Sequence, residues 1–218
     1  MKNHRINRTK TVFITMSTAM ISLGICLFLR SRLGSDAITI FVDGLRSSLG
    51  LTMGNATLLN NGVMLFLAMI FARKFIHFGT VIVAIGTGLF INFFDPMIVS
   101  LFGEDPSLLL RLVMMVFGQI ILTAGVAFNL STRFGFGTTD ALLVRLVEKY
   151  RLKYKNVKIL SDITYAAVGF LLGGVIGIGS VFSVITGGPL IAWFEKNFFD
   201  RLAQRFQIHE PVLQCVEE

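Results

Sequence analysis

The placement of charge along this chain restricts the solvent in which it can fold. No Asp, Glu, Lys or Arg occurs in 11–29, 47–72, 75–94, 112–132 or 163–194. A helix crossing the hydrocarbon core of a bilayer needs about 20 mostly apolar residues, so each of the first four gaps fits one span. The fifth gap is 32 residues long and, with the residues just before it, holds two. Only 15% of the 218 residues are charged, where a soluble domain carries about a quarter. This excludes a soluble enzyme, a secreted disulfide scaffold and a disordered chain. The fold class expected is all-α, a polytopic transmembrane helical bundle.

Six spans are expected, at roughly 11–29, 56–72, 79–101, 110–130, 157–175 and 177–194. They divide the chain into a basic N-terminus (1–10), a first membrane unit (11–102), a second (110–195) and a tail (196–218). Between the last two spans Gly173, Gly174, Gly177 and Gly179 admit a tight hairpin, since glycine turns and packs at low steric cost. A continuous helix also fits, but two spans need about 36–40 residues and favour the hairpin. The basic, apolar start resembles a signal peptide but lacks a small-residue cleavage pattern, which favours an uncleaved first span.

The net charge of +7 and pI near 9.8 would suit nucleic acid. The basic residues, however, sit in short stretches beside apolar spans, so no nucleic-acid partner is expected. With the N-terminus inside, 16 Lys and Arg fall on the cytoplasmic side and 4 outside (Arg30, Arg32, Arg46 and Arg111). That bias orients a multi-pass protein with both termini in the cytoplasm. Cys26 lies in a span and Cys215 near the C-terminus, which argues against a structural disulfide and a thiolate metal site. No cofactor is expected.

Two stretches are neither span nor ordinary loop. In 36–49, Ile38, Phe41, Leu45 and Leu49 recur at helical spacing against Asp36, Asp43 and Arg46. In 139–150, Leu142, Leu143, Leu146, Val147 and Tyr150 oppose Arg145, Glu148 and Lys149. Each reads as an amphipathic helix, surface-lying or re-entrant, too short to span. The tail repeats the theme through Phe198, Leu202 and Phe206 up to Pro211, an interfacial helix by this pattern.

The two halves also echo each other. Ser31-Arg32-Leu33-Gly34 is answered by Thr132-Arg133-Phe134-Gly135, and Gly24 by Gly125, at an offset of 101. Asp36-Ala37 pairs with Asp140-Ala141, Asn60-Asn61 with Ser161-Asp162, Gly79-Thr80 with Gly179-Ser180, and the Gly88 stretch with the Gly188 stretch. Each unit holds three spans, and an odd number makes the second enter the membrane from the opposite side. This is an inverted-topology repeat, a construction many secondary transporters use to place a site near the midplane.

The Leu-Gly-Leu-Thr-Met-Gly stretch at 49–54, Gly79-Thr80, the run from Gly135 to Asp140, the run from Gly173 to Ser180 and Gly187-Gly188-Pro189 resemble the YczE/YyaS/YitT family of bacterial integral membrane proteins. The resemblance covers most of 20–195. It implies a multi-span protein of the bacterial cytoplasmic membrane and supplies no substrate or catalytic residues. Gly34-Ser35-Asp36 departs from the Gly-x-Pro-like turn expected there, and Ser180 stands where Thr is usual.

A charge inside a membrane segment costs about 2.5–3.5 kcal/mol on insertion scales and tends to be paired or functional. The candidate substrate-binding or coupling residues are therefore Arg32, Asp36, Asn60, Asn61, Arg133, Asp140 and Asp162. Arg32 and Asp36 have i,i+4 spacing, with Gly34 between them making a turn equally compatible. Arg133 and Asp140 meet only if the intervening turn folds back. The two arginines are either cavity mouths offered to an anionic solute or snorkelling anchors at span ends. Asp162 either pairs with Lys158 or faces the bundle interior to take up a proton or cation. Gly34, Gly135 and Gly137 mark half-helix starts or simple turns.

Catalytic motifs are absent, and His4, His77 and His209 are scattered, so no enzyme is expected. The reading that results is a small-solute transporter of unknown substrate in the lipid bilayer, compatible with a homo-oligomer. The alternative is a non-transporting membrane protein that regulates or scaffolds a partner.

Overall fold

The computed structural model describes residues 2–103, 105–132 and 137–199, and the regular elements among them are helical. Eight α-helices follow in order: α1 (Lys2–Arg30), α2 (Ala37–Leu49), α3 (Met53–Phe71), α4 (Phe78–Phe102), α5 (Leu108–Thr132), α6 (Thr138–Tyr150), α7 (Tyr154–Leu171) and α8 (Ile178–Phe194). A 3₁₀ turn at Arg73–Phe75 precedes α4, and a π turn at Glu195–Phe199 prolongs α8.

Burial is inverted relative to a water-soluble domain. Ser17, Thr18, Ser22, Thr80 and Gln119 are buried, while Phe66, Phe93, Leu109, Leu160, Leu171 and Val184 lie on the surface. Only an apolar solvent makes that distribution favourable, because exposed Phe and Leu then cost nothing and the small hydroxyls bond back to their own helices. Ser22, for example, donates to Thr18 O at 2.8 Å and is placed 3.1 Å from Thr87 O on α4.

Five helices are long and apolar enough to cross a membrane: Lys10–Arg30 of α1, then α3, α4, α5 (Leu108–Ser131) and the α8 segment Ile178–Phe198. The expected span at 157–175 falls on α7, which is not among them. Its 18 residues reach about 27 Å at 1.5 Å per residue and carry Lys155, Lys158 and Asp162. The glycine-rich break is present, with Gly173 at φ +95°. It does not close a packed hairpin, because α7 lies on α2 and α8 lies on α5.

The centre of the bundle is the crossing of α1 and α5. A Cβ on Gly24 would fall 2.5 Å from the Leu122 backbone nitrogen, and one on Gly125 would fall 2.8 Å from that of Ile21. Gly118 similarly faces Phe28. Small residues at such a crossing let two backbones approach closely enough for dispersion to hold them, which is the dominant attraction where lipid is as apolar as leucine. Against this pair, α4 packs on α1 and α8 on α5. The short helices cross over: α2 packs on α7, and α6 packs on α3.

Asp36 caps α2, its carboxylate accepting the Thr39 N–H at 3.3 Å and the Thr39 hydroxyl at 2.6 Å. Gly50, at φ +64°, ends it. The helices α4 and α8 start alike. The His77 N–H donates to Thr80 Oγ1, and the Gly177 N–H donates to Ser180 Oγ, both at 3.4 Å.

The expected extents of the two amphipathic helices match. In α2 the buried residues are Thr39, Ile40, Val42, Asp43 and Gly44, and Leu49 is exposed. In α6 they are Thr138, Thr139, Ala141, Leu143 and Val144, with Leu146 and Tyr150 exposed. These helices lie among other helices, and a polar group such as Asp43 gains more from protein partners than from lipid. Of the expected tail helix, residues 200–218 lie outside the described residues.

Gly24→Leu and Gly125→Leu should each force the central pair apart, since overpacking a tight contact costs about 1–3 kcal/mol or more. Gly62, with open space around its Cβ position, is the control. Melting of the detergent-purified proteins should show large losses for the first two and none for Gly62→Leu. Equal stability of all three would contradict the crossing.

Candidate functional site: a cavity at the N-terminal turns of the two short helices

The N-terminal turns of α2 and α6 reach the same cavity, of about 190 Å³. Its walls are Thr39 and Val42 of α2, Thr57, Asn60 and Asn61 of α3, Ala84 and Thr87 of α4, Gly137 to Asp140 at the start of α6, and Ile21 and Ile25 of α1. Two of the sequence candidates on α3 are bonded to each other in its wall. Asn61 donates to Ala84 O at 3.1 Å, and Asn60 donates to Asn61 Oδ1 at 3.3 Å. Asn60 is 3% exposed, yet its Oδ1 has no hydrogen-bond partner. A buried carbonyl left in that state costs about 1–3 kcal/mol.

Asp140 stands in the first turn of α6, where the helix dipole favours an anion and where Gly137 supplies no side-chain cap. Its carboxylate also receives the Tyr154 hydroxyl, at 3.4 Å. Beyond the cavity wall, Lys158 bonds Asp162 at 3.0 Å and also interacts electrostatically with Asp140 and Asp36. Of the two readings open for Asp162, the pair with Lys158 is the one formed.

Arg32 does not pair with Asp36. It sits at φ +53°, in the turn after α1, and reaches Asp105 at 2.6 Å, while Asp36 is committed to capping. Gly34 opens the chain there and lets Leu33 O accept the Gly179 N–H at 2.7 Å, so the intervening helical turn that an i,i+4 pair needs is missing. Arg32 lines a second basin of about 250 Å³ together with Arg30, Ser35, Asp43, Arg46 and Val175, away from the central cavity. Arg133 lies outside the described residues, and with it the expected approach of Arg133 to Asp140.

Sequence reasoning missed two ion pairs in this basin. Arg30 holds Asp95 of α4 through two parallel bonds of 2.7 Å, and Arg46 holds Asp43, whose Oδ2 faces the Val175 N–H at 3.4 Å. Asp95 directly follows the charge-free window 75–94 and falls inside the expected third span, which was the available signal. Gln119, 1% exposed, reaches Thr186 of α8 at 3.3 Å and was likewise not anticipated. Among the described residues no three His, Cys, Asp or Glu side chains are grouped to hold a metal.

A bundle with apolar faces outward, polar groups inward and five membrane-length helices is a multi-pass membrane protein. Residues 8–196 match the model of a family of unknown function, DUF6198, and the chain belongs to that family. It is similar to an uncharacterized protein of Haemophilus influenzae, at 26% identity over 88% of this chain and 86% of that one. It is also similar to the uncharacterized protein YyaS of Bacillus subtilis, at 26% identity over 88% and 97%. The uncharacterized membrane protein YczE of the same organism is 22% identical over 79% of each chain. These relatives bear out the resemblance to the YczE/YyaS group. No solved structure matches.

The two kinds of ion pair here should differ in energetic weight. Arg30 and Asp95 are 24% and 22% exposed, against 51% and 72% for Arg32 and Asp105. Asp95→Asn should cost about 3 kcal/mol by stranding the arginine, and Arg30→Met with Asp95→Leu should recover most of it. Asp105→Asn should cost under about 1 kcal/mol. Thermal melting of the four proteins checks the order, and equal losses for Asp95→Asn and Asp105→Asn would refute it.

Proposed function

We propose that the protein is a small-solute transporter of the bacterial cytoplasmic membrane, built from an inverted repeat of α1–α4 and α5–α8, in which α7 crosses as a sixth span and both termini lie inside. The observation that carries the reading is the central cavity. It sets Asn60, Asn61, Asp140 and several threonines into a largely apolar wall, it contains an unsatisfied buried acceptor, and it is walled by the N-terminal turns of both short helices. A scaffold needs no such cavity. A transporter needs one at the junction of its halves, where rocking of one unit against the other can open it to alternate sides.

Several features support the repeat. Subtracting 101 from Gly125 and Leu122 gives Gly24 and Ile21, and the contact of Gly24 with Leu122 is matched by that of Gly125 with Ile21. The same operation exchanges the packing of α2 on α7 with that of α6 on α3, and of α4 on α1 with that of α8 on α5. Thr80 and Ser180 make the same bond at the start of α4 and α8. The 16-to-4 division of Lys and Arg supports the orientation.

The expected residues divide by role. Asn60, Asn61 and Asp140 contact the solute, Asp36 and Asp162 shape the charge beside it, and Arg32 stands at the outer basin. An untargeted comparison of metabolites in deletion and overexpressing cells tests the reading. At least one small solute should change several-fold, and Asp140→Asn should abolish the change at unchanged protein level. A phenotype that persists in Asp140→Asn, with no solute altered, would favour a regulator or scaffold instead.

A further inference from the structure

The chemistry of the cavity wall restricts what it can hold. Thr57 and Thr87 donate their hydroxyl protons to Met53 O at 2.8 Å and Val83 O at 2.6 Å, so what they have left to offer is lone pairs. The Asn61 amide is engaged with Ala84 O. Asn60 Oδ1 is buried without a donor. Asp140 receives one long bond, and its anionic charge already satisfies the dipole of the α6 N-terminus. Around this corner three carboxylates, of Asp36, Asp140 and Asp162, interact with the ammonium of Lys158. The guanidinium groups of Arg30, Arg32 and Arg46 lie in the outer basin, on Asp95, Asp105 and Asp43. Among the described residues no Lys or Arg lines this wall, and the Asp140 carboxylate with the unpartnered Asn60 carbonyl oxygen makes it rich in acceptors.

We propose that this cavity binds a small monovalent cation, an alkali ion or a primary ammonium, held by the Asp140 carboxylate and the Asn60 carbonyl oxygen. The inference rests on the cavity being the transport site and specifies its ligand class. About 190 Å³ is the share of liquid volume taken by about six waters at ~30 Å³ each, which fits an ion with part of its hydration shell or an amine of a few heavy atoms. One carboxylate with neutral oxygens suits a single charge. Zinc and its neighbours recruit sets of His, Cys and carboxylates, which the described residues do not assemble.

The test is thermal unfolding of the purified full-length protein in detergent, at constant ionic strength balanced with N-methylglucamine chloride. Lithium, sodium, potassium, ammonium and methylammonium chlorides are the probes. At least one should raise Tm saturably, by about 5 °C at a hundredfold excess over Kd. A response to alkali ions assigns an inorganic ligand, and one confined to ammonium and methylammonium assigns an amine. Asp140→Asn should weaken the apparent affinity about tenfold or more. Asn60→Asp adds a second carboxylate and should strengthen it, a gain that remains readable if Asp140→Asn does not fold. No saturable shift with any probe, a shift produced by phosphate or gluconate instead, or a shift indifferent to both substitutions would overturn the proposal. Cation binding without flux in proteoliposomes would leave the site and remove the transport reading. Flux without any cation-dependent shift would do the reverse.

Discussion

The structure depends on the contact of two backbones. Gly24, Gly118 and Gly125 bring α1 and α5 close enough that a single Cβ would collide with main-chain atoms. Every other long helix except α3 and α7 packs against that pair. Since lipid competes on equal terms with any leucine, the attraction that keeps such a bundle together is close packing and buried hydrogen bonds. The buried hydroxyls of Ser17, Thr18 and Ser22 on α1, and of Thr123 and Ser131 on α5, follow from the same constraint. They are small enough for close approach and satisfy themselves on their own helix.

The central pair also accounts for where polarity accumulates. With α1 and α5 in contact along their glycines, α2 packs on α7 and α6 on α3. The N-terminal turns of α2 and α6 then meet at the cavity of Asn60 and Asp140. Thr57, Asn60 and Asn61 on α3 line it, and at an offset of 101 from them Lys158, Ser161 and Asp162 stand on α7, outside its wall. Equivalent positions thus carry neutral oxygens on one helix and charges on the other, and the proposed preference for a positive ligand uses that asymmetry.

Much of this was legible in the sequence because a bilayer imposes simple rules. Charge-free windows located the membrane-length helices, and the helical recurrence of apolar residues located α2 and α6. The candidates Asn60, Asn61 and Asp140 were found because amides and carboxylates between apolar runs are costly, and the structure gathers them in one cavity. What was not legible depended on partners distant in sequence. The pairing of Arg32 with Asp105 instead of Asp36, and of Arg30 with Asp95, requires knowing that the chain turns at Gly34 and that α4 lies beside α1. The buried side of α2 was not legible, because periodicity reveals a polar face but not which solvent it meets. Asp43, 4% exposed, is the clearest example.

The central claim is that the two halves lie in the membrane with opposite orientation around a shared cavity. Sidedness of reporter fusions tests it most directly. Fusions after residues 76 and 153 should both report the cytoplasm, and a fusion at residue 106 should report the exterior. The two short helices would then start from opposite faces, as α2 follows α1 and α6 follows α5. An exterior signal at 153 together with a cytoplasmic signal at 76 would give the two halves the same orientation and contradict the account.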